Sequence, residues 1–242
     1  MSVEKKKNKP GKFSAQLAQI QHDVMACRKC SRLVEWREKT AQEKVRRFAH
    51  ETYWGKPIPG FGDDGAKMLI VGLAPAAHGG NRTGRVFTGD RSGDWLFETL
   101  HKFQFANQPH SISREDGMRL HDCYITAAVR CAPPKNKPLQ EEKKNCLPYL
   151  VSEIPLLRNL CVIVALGKFA FDIVFDVYKT LGESDLQKRP RFGHLVELQL
   201  NSRVVLLASY HPSQQNTFTG KLTRQMFDSV FQRARYLMER ER

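Results

Sequence analysis

The sequence lacks the long apolar segments that mark membrane proteins. None of its apolar runs approaches the roughly 18 residues that a membrane-spanning helix needs. Its first residues are also not apolar, as a secretion signal would be, but carry five lysines within positions 5–12. We therefore expect a disordered basic tail over residues 1–12, no membrane association, and a cytoplasmic protein that accompanies the nucleoid.

Acidic side chains are scarce relative to basic ones. The 242 residues include 39 Lys and Arg against 25 Asp and Glu, which gives a formal net charge of +14. Such an excess favours a polyanionic partner, most often a nucleic acid, which it binds with salt-sensitive affinity. Solubility alone explains part of the excess.

The six cysteines also lack the context of a disulfide framework. Without a secretion signal they indicate a reducing compartment, in which thiols bind metals or pack in the core. Cys27 and Cys30 are separated by two residues and lie among charged side chains, and Cys131 and Cys146 follow far downstream. This set suits either a four-cysteine zinc site or a 4Fe–4S cluster, and spacing alone does not decide between them.

The remaining two cysteines, Cys123 and Cys161, fall inside apolar runs. There a thiol behaves as a small hydrophobic side chain, so we do not include them among the metal ligands.

Apolar runs alternate with helix-like patterns along the chain. The runs at 67–73, 121–129, 160–166 and 203–208 predict strands, and the segments between them carry apolar residues at helical spacing. The run at 195–200 pairs with the one at 203–208 as a hairpin, unless the latter is a central parallel strand. We see no internal repeat and no linker, so residues 13–242 are predicted to form one α/β domain with three layers.

A long glycine-rich loop, Gly72–Asp90, follows the first predicted strand. It reads GLAPAAHGGNRTGRVFTGD and offers almost no core-forming side chain before the next helix begins near Ser92. Open α/β sheets bind ligands in loops at the carboxyl ends of their strands. The loop is therefore a candidate ligand site, although by itself it also fits a phosphate-binding loop or an ordinary surface loop.

Two other loops follow predicted strands and carry polar side chains. One is the proline-rich segment 133–138 with Asn136, and the other is 209–220 with His211. Together with Asp90 and the flat ring of Phe87, they would supply several chemical groups at one edge of the sheet. Taken singly, Asp90 also fits a helix cap, and a histidine before a proline is often structural.

The strings GLAPAAHGGNRTGRVFTGD and HPSQQNTFTGKLT, with the Cys131–Cys146 segment, closely resemble the uracil-DNA glycosylase superfamily, and above all its iron–sulfur family 5. The resemblance extends from Cys27 to the last helix. It implies an α/β/α fold with a central four-stranded parallel sheet. It also implies a monofunctional enzyme that hydrolyses the N-glycosidic bond of uracil in double-stranded DNA, acting in base excision repair, and we expect a monomer.

The resemblance also implies roles for individual residues. The 4Fe–4S cluster would be held by Cys27, Cys30, Cys131 and Cys146. The catalytic groups would be Asp90, Asn136 and His211, with His211 donating to the departing uracil anion. The predicted contacts with the flipped base or its surroundings are Gly72, Ala74, Phe87 and Gln214. The predicted contacts with DNA phosphates are Lys221 and Arg224.

The sequence departs from the patterns of related families at two places. Leu73-Ala74-Pro75 offers no polar side chain to orient water, and Ala127-Ala128 stands where relatives have an asparagine that reads the uracil edge. The loss of an edge-reading amide relaxes discrimination, because a wrong base leaves no buried polar group unpaired. We therefore expect a glycosylase that also accepts hypoxanthine or other deaminated bases.

Two alternatives remain at this stage. The chain fits a uracil-restricted enzyme similar to family 4, and it fits a non-catalytic iron–sulfur module that binds DNA.

Overall fold

A computed structural model describes residues 12–182 and 188–240. In this part of the chain, six strands form one sheet. Their bounds, in chain order, are β1 Phe61–Gly62, β2 Met68–Gly72, β3 Cys123–Ala127, β4 Val162–Leu166, β5 Glu197–Gln199 and β6 Val205–Ser209.

The strand order across the sheet is β1-β3-β2-β4-β6-β5. The four central strands are parallel, whereas β1 and β5 pair antiparallel at the two edges. The central four-stranded parallel sheet is therefore confirmed, with an added edge strand on each side. The two interpretations of the 203–208 run both hold, since β6 pairs with β5 as a hairpin and with β4 in parallel.

The central strands are apolar on both faces because both faces are covered by helices. Strands β2, β3 and β4 are buried at every position, and β6 is buried at four of five. Such continuous apolar runs are typical of parallel strands between two helical layers. The apolar runs that predict these strands in the sequence therefore reflect the burial of the strands on both faces.

The described residues form eight α-helices: α1 Lys12–Ala26, α2 Ser31–Glu43, α3 Gly80–Thr83, α4 Arg91–Lys102, α5 Gln140–Glu153, α6 Lys168–Thr180, α7 Gln214–Phe218 and α8 Arg224–Arg240. Apolar residues of α4 and α8 pack on one face of the sheet, and those of α1, α5 and α6 on the other. This arrangement confirms the three-layer α/β/α fold.

The sequence predicts helices over residues 32–48 and 140–157, and both end earlier in the structure. Helix α2 was expected to reach Phe48 but ends at Glu43, where Lys44 adopts a positive φ of 53° that a helix cannot continue. Helix α5 tolerates Pro148 in its interior and ends at Glu153, where a short 3₁₀ turn over Ile154–Leu156 begins. Pro155 lies in that turn and accounts for the end of the regular helix.

Parallel strands in register bring three loops to one edge of the sheet. Gly72 at the end of β2 pairs with Ala127 at the end of β3, and Leu166 of β4 pairs with Ser209 of β6. The glycine-rich loop, the proline-rich loop and the loop that carries His211 therefore leave the sheet on the same side, where ligands bind in open α/β sheets.

The predicted basic tail falls outside the described residues, except that α1 already begins at Lys12. Among the residues described, no helix is long and apolar enough to cross a membrane.

Candidate functional site

A cleft of about 830 Å³ lies among the three loops. Asp90, Asn136 and Gln214 contribute to its lining, one from each loop. The fold therefore brings together three of the predicted site residues that are separated by tens of positions in the sequence.

Asp90 lies at the N-terminus of α4. Its Oδ1 accepts a hydrogen bond of 3.0 Å from the backbone N–H of Gly93, so it caps the helix. The other oxygen, Oδ2, lies against Gly79. A Cβ added to Gly79 would stand only 2.3 Å from this oxygen. Capping thus occupies one carboxylate oxygen and leaves the other beside the cleft-lining Gly79.

The environment of Asp90 also changes its proton affinity. Burial raises the pKa of the Asp90 carboxyl above its ordinary value, although the N–H groups of Gly93 and Ser92 oppose the shift. A carboxylate held partly desolvated in this way is a stronger base than one in water.

Phe87 and His211 contact each other rather than line the cleft. Their ring centroids are 6.0 Å apart and the ring planes are 29° from parallel. Gly72 also lies against the Phe87 ring. A Cβ added to Gly72 would stand 2.6 Å from Cζ of Phe87. Gly72 therefore has to be glycine for the Phe87 ring to lie on the end of β2.

His211 is neutral in this environment. Burial lowers its pKa to about 4. Its ring at neutral pH therefore carries a single N–H that can donate a hydrogen bond. The backbone carbonyl of His211 accepts from the side chain of Asn216 at 2.9 Å, which fixes the start of the loop.

Asn136 is exposed at the cleft and has a backbone conformation that asparagine tolerates well. Both Asn136 and the preceding Lys135 have φ of 55°, in the left-handed region in which asparagine is enriched. Gln214 is also exposed, in the first turn of α7, whose N-terminus is capped by the hydroxyl of Ser213.

The four predicted metal ligands surround one small cavity. Cys27, Cys30, Cys131 and Cys146 all line it, although they come from three separate segments of the chain. Burial raises the pKa of Cys131 to about 12 and that of Cys146 to about 11. Within residues 12–182 and 188–240, no three His, Cys, Asp or Glu side chains converge as a site for a metal ion.

Hydrogen-bond donors surround these sulfurs. Arg37 lies with Nη1 3.6 Å from Sγ of Cys131, and Asn145 lies with Nδ2 3.4 Å from Sγ of Cys30. Arg37 and Arg130 are both buried, and the Nε of each has no partner among the described groups. Burial therefore favours the protonated thiols, and the guanidinium of Arg37 beside Cys131 opposes that shift.

Comparison with known proteins decides the family. The family model described as "Uracil DNA glycosylase superfamily" matches residues 59–235. The chain belongs to the uracil-DNA glycosylase superfamily.

Several curated relatives cover nearly the whole chain. A type-5 uracil-DNA glycosylase of Mycobacterium leprae is 50% identical over 91% of this chain and 95% of its own length. The type-5 enzyme of Thermus thermophilus is 48% identical over 88% of this chain and 94% of its own. A type-4 uracil-DNA glycosylase of Archaeoglobus fulgidus is 30% identical, with 81% of each chain covered.

Against this superfamily background, Ala74 occupies an unexpected position. It packs against the apolar group formed by Leu33, Val129, Cys131 and Cys146. The motif position that was predicted to contact the base thus lies next to the cysteines. It joins the glycine-rich loop to the cysteine site.

The two predicted phosphate contacts differ in their surroundings. Lys221 is exposed, and its Nζ lies 5.1 Å from the centroid of the Tyr210 ring. Arg224 pairs with Glu98 at 2.6 Å and lies over the Trp95 ring at 4.0 Å. Lys221 is therefore the more available of the two, whereas Arg224 already has partners that hold α8 against α4.

Sequence reasoning missed several residues of the cleft. The structure adds His78, whose Nδ1 lies 3.1 Å from the hydroxyl of Tyr53, as well as Trp36 and Ile112. His78 was visible as the one histidine of the glycine-rich loop. Trp36 and Ile112 come from segments that no local pattern connects to that loop.

Cys123 and Cys161 lie in the apolar core beneath α4 and α8, as their apolar runs predict.

Proposed function

We propose that the protein is a DNA repair glycosylase that flips uracil out of double-stranded DNA and hydrolyses its N-glycosidic bond. The observation that carries this proposal is the assembly, in a member of this superfamily, of Asp90, Asn136 and Gln214 around one cleft beside the Phe87–His211 pair. The type-5 relatives, which are named as uracil-DNA glycosylases, support it. The net charge of +14 supports DNA as the partner.

His211 and Asp90 take complementary roles in bond cleavage. As the bond between the sugar and the base breaks, negative charge develops on the uracil and positive charge on the sugar. The neutral ring of His211 donates its N–H to the uracil anion, an interaction that strengthens in the transition state. Asp90 uses its free oxygen to orient or deprotonate the attacking water, or to stabilise the sugar cation.

Phe87 supplies the surface on which the flipped base stacks, a contact worth about 1–3 kcal/mol. In this structure, the Phe87 ring lies between Gly72 and His211. Base entry therefore requires the Phe87 and His211 rings to separate. Asn136 and Gln214, both exposed at the cleft, hold water or substrate there.

The base pocket has relaxed specificity. Ala127 and Ala128 are buried in the core and offer no side-chain amide at the end of β3. We infer that the enzyme accepts hypoxanthine and other deaminated bases in addition to uracil, because a mismatched base edge leaves no protein donor unpaired.

The cysteine site fits a 4Fe–4S cluster. Four cysteines line one cavity, and four cysteine thiolates are the usual ligands of such a cluster. The buried guanidinium of Arg37, with Nη1 3.6 Å from Sγ of Cys131, suits a site that carries negative charge. We propose Cys27, Cys30, Cys131 and Cys146 as its ligands.

When bound, such a cluster cross-links the chain at four points and can exchange one electron. The chain's own residues carry this constraint towards the active site. The carbonyl of Arg37 accepts from the Asn81 side chain at 3.2 Å, and Asn81 lies in the glycine-rich loop.

The loop 214–222 enters the minor groove in this proposal, with Lys221 and Arg224 as phosphate contacts. We further propose that the protein acts as a monomer on the nucleoid.

The deciding experiment is release of base from duplexes that carry uracil, hypoxanthine or thymine opposite guanine, read as abasic sites on a gel. We expect release of uracil and hypoxanthine. Release of uracil alone would indicate the restricted, family 4-like alternative, and DNA binding without release would indicate a non-catalytic module.

Two variants test the assigned roles. Asp90→Ala and His211→Ala should reduce base release far more than DNA affinity. Equal loss of both would show that these residues maintain structure. Aerobically purified protein should be brown with about four irons per chain, and protein that holds zinc without iron would contradict the cluster.

A further inference from the structure

Ile112 is an exposed apolar side chain at the edge of the cleft. It is 68% exposed, the highest value among the large apolar side chains in the described part of the chain, and it contributes to the cleft lining. A single exposed isoleucine is ordinary on a protein surface. What distinguishes Ile112 is the structure that holds it there.

The backbone of Ile112 is fixed by a buried carboxylate. Asp116 accepts the N–H of Ile112 at 2.7 Å and that of Ser113 at 3.2 Å. The same carboxylate pairs with the guanidinium of Arg85 at 2.9 and 2.5 Å. Hydrogen bonds to charged groups are among the stronger ones in proteins, so this loop is preorganised.

The same network ties Ile112 to the proposed catalytic loop. The Ser111 hydroxyl bonds to Arg85 and to Thr88, each at 2.6 Å, and the Ser111 carbonyl accepts the N–H of Gly89 at 3.3 Å. Gly89 immediately precedes Asp90. The position of Ile112 is therefore fixed relative to the reacting carboxylate.

The surroundings of Ile112 suit a nucleic acid. Phe218, the second most exposed of these apolar side chains at 66%, lies under the guanidinium of Arg91, which also lines the cleft. Arg114 is exposed two residues beyond Ile112 and stacks on Trp54. Apolar tips flanked by cations match the alternation of bases and phosphates in DNA.

We propose that Ile112 is a wedge that packs into the DNA beside the extruded nucleotide and, with Phe218, offsets the stacking lost when the base leaves the duplex. This assignment rests on the proposed glycosylase activity and adds a DNA contact from the 110–116 segment. Proteins that insert apolar side chains between base steps stabilise the unstacked state in this way.

The test compares two substrates that differ in stacking. Single-turnover uracil release is measured for Ile112→Ala on a fully paired duplex and on the same strand with the uracil inside a bubble of unpaired bases. We expect the rate on the duplex to fall about tenfold and the rate on the bubble to change less than about threefold, because an unstacked base has little stacking left to replace.

Two control variants accompany it. Ile112→Leu keeps a large apolar side chain at this position. It should retain the wild-type ratio of the uracil-release rates on the duplex and on the bubble. Tyr236→Ala removes a large exposed side chain from α8, outside the cleft lining, and should change neither rate. Equal losses on both substrates, or no loss on the duplex, would overturn the wedge assignment. Failure of the wild-type protein to release uracil from either substrate would instead contradict the glycosylase activity itself.

Discussion

The ring of Phe87 is packed between the Cα of Gly72 and the imidazole of His211. A Cβ on Gly72 would stand 2.6 Å from Cζ of Phe87, and the Phe87 and His211 ring centroids are 6.0 Å apart. The residue at the end of the first central strand thus sets the position of both rings that the proposed reaction uses.

Gly72→Ala should therefore disturb the site more than the fold. The added methyl displaces the Phe87 ring, at a cost of about 1–3 kcal/mol typical of overpacking, and shifts the His211 contact. We expect a large fall in base release with a modest fall in unfolding midpoint. Wild-type activity from a correctly folded Gly72→Ala variant would contradict this packing of Phe87 on Gly72.

The pH dependence of stability should show the burial of His211. Its pKa is lowered from 6.5 to about 4, so the unfolded chain binds a proton at this ring before the folded chain does. The contribution of the neutral ring is complete above pH 6.5 and is lost as the pH falls from 6.5 towards 4. Relative to His211→Gln, wild type should lose at most about 1.4 kcal/mol of unfolding free energy per pH unit there. Denaturant titrations at several pH values measure this, and a constant difference would argue against a buried neutral ring.

Gly79→Ala should misplace the carboxylate of Asp90, the proposed catalytic base. A Cβ at position 79 would stand 2.3 Å from Oδ2 of Asp90. We expect base release to fall on the order of 100-fold, as is found when a reacting group moves by about 1 Å. The matched control is Gly65→Ala, whose Cβ would meet ordinary contacts at 3.4 Å or more and which should keep full activity.

Glu153→Gln should destabilise the fold. Arg130 and Glu153 form a buried ion pair, with side chains only 1% and 2% exposed, and Thr126 also donates to Glu153. Removal of the carboxylate charge leaves Arg130 buried without its counter-ion, at a cost of about 3–5 kcal/mol. The control is Glu197→Gln, which breaks a partly exposed pair with Arg233 and should cost about 0.2–1 kcal/mol. Both are measured by urea unfolding, and equal costs would contradict the prediction.

Arg37→Gln should change the redox behaviour of the proposed cluster. Arg37 is a buried cation beside Cys131, where it would stabilise the more negative, reduced form of such a cluster. We expect a lower reduction potential with unchanged iron content, measured by a redox titration followed by electron paramagnetic resonance. Arg28→Gln removes an exposed cation that is paired with Glu38 and should leave the potential close to that of wild type. An unchanged potential in Arg37→Gln would show that this guanidinium does not influence the cluster.

Much of the fold could be predicted because short-range patterns of apolar residues determine where its strands and helices form. The continuous apolar run of β2 follows from local burial, and the run at 67–73 predicts this strand to within one residue at each end. The edge strand β1 was not predicted, since it has only two residues in a segment of glycines and prolines. The early end of α2 was missed because nothing in the local pattern marks Lys44 as a residue of positive φ.

The sequence by itself determined the alternation of strands and helices, the motif strings and the spacing of the four cysteines. Only the tertiary structure decided which side chains meet. Arg37 and Cys131 are 94 residues apart, and Ser111 joins the loop of Ile112 to Gly89 across a helix and a connector. Such contacts depend on how parallel strands align their ends and on how helices pack over them. Local periodicity carries no information about either, because it reports only which face of each element is buried.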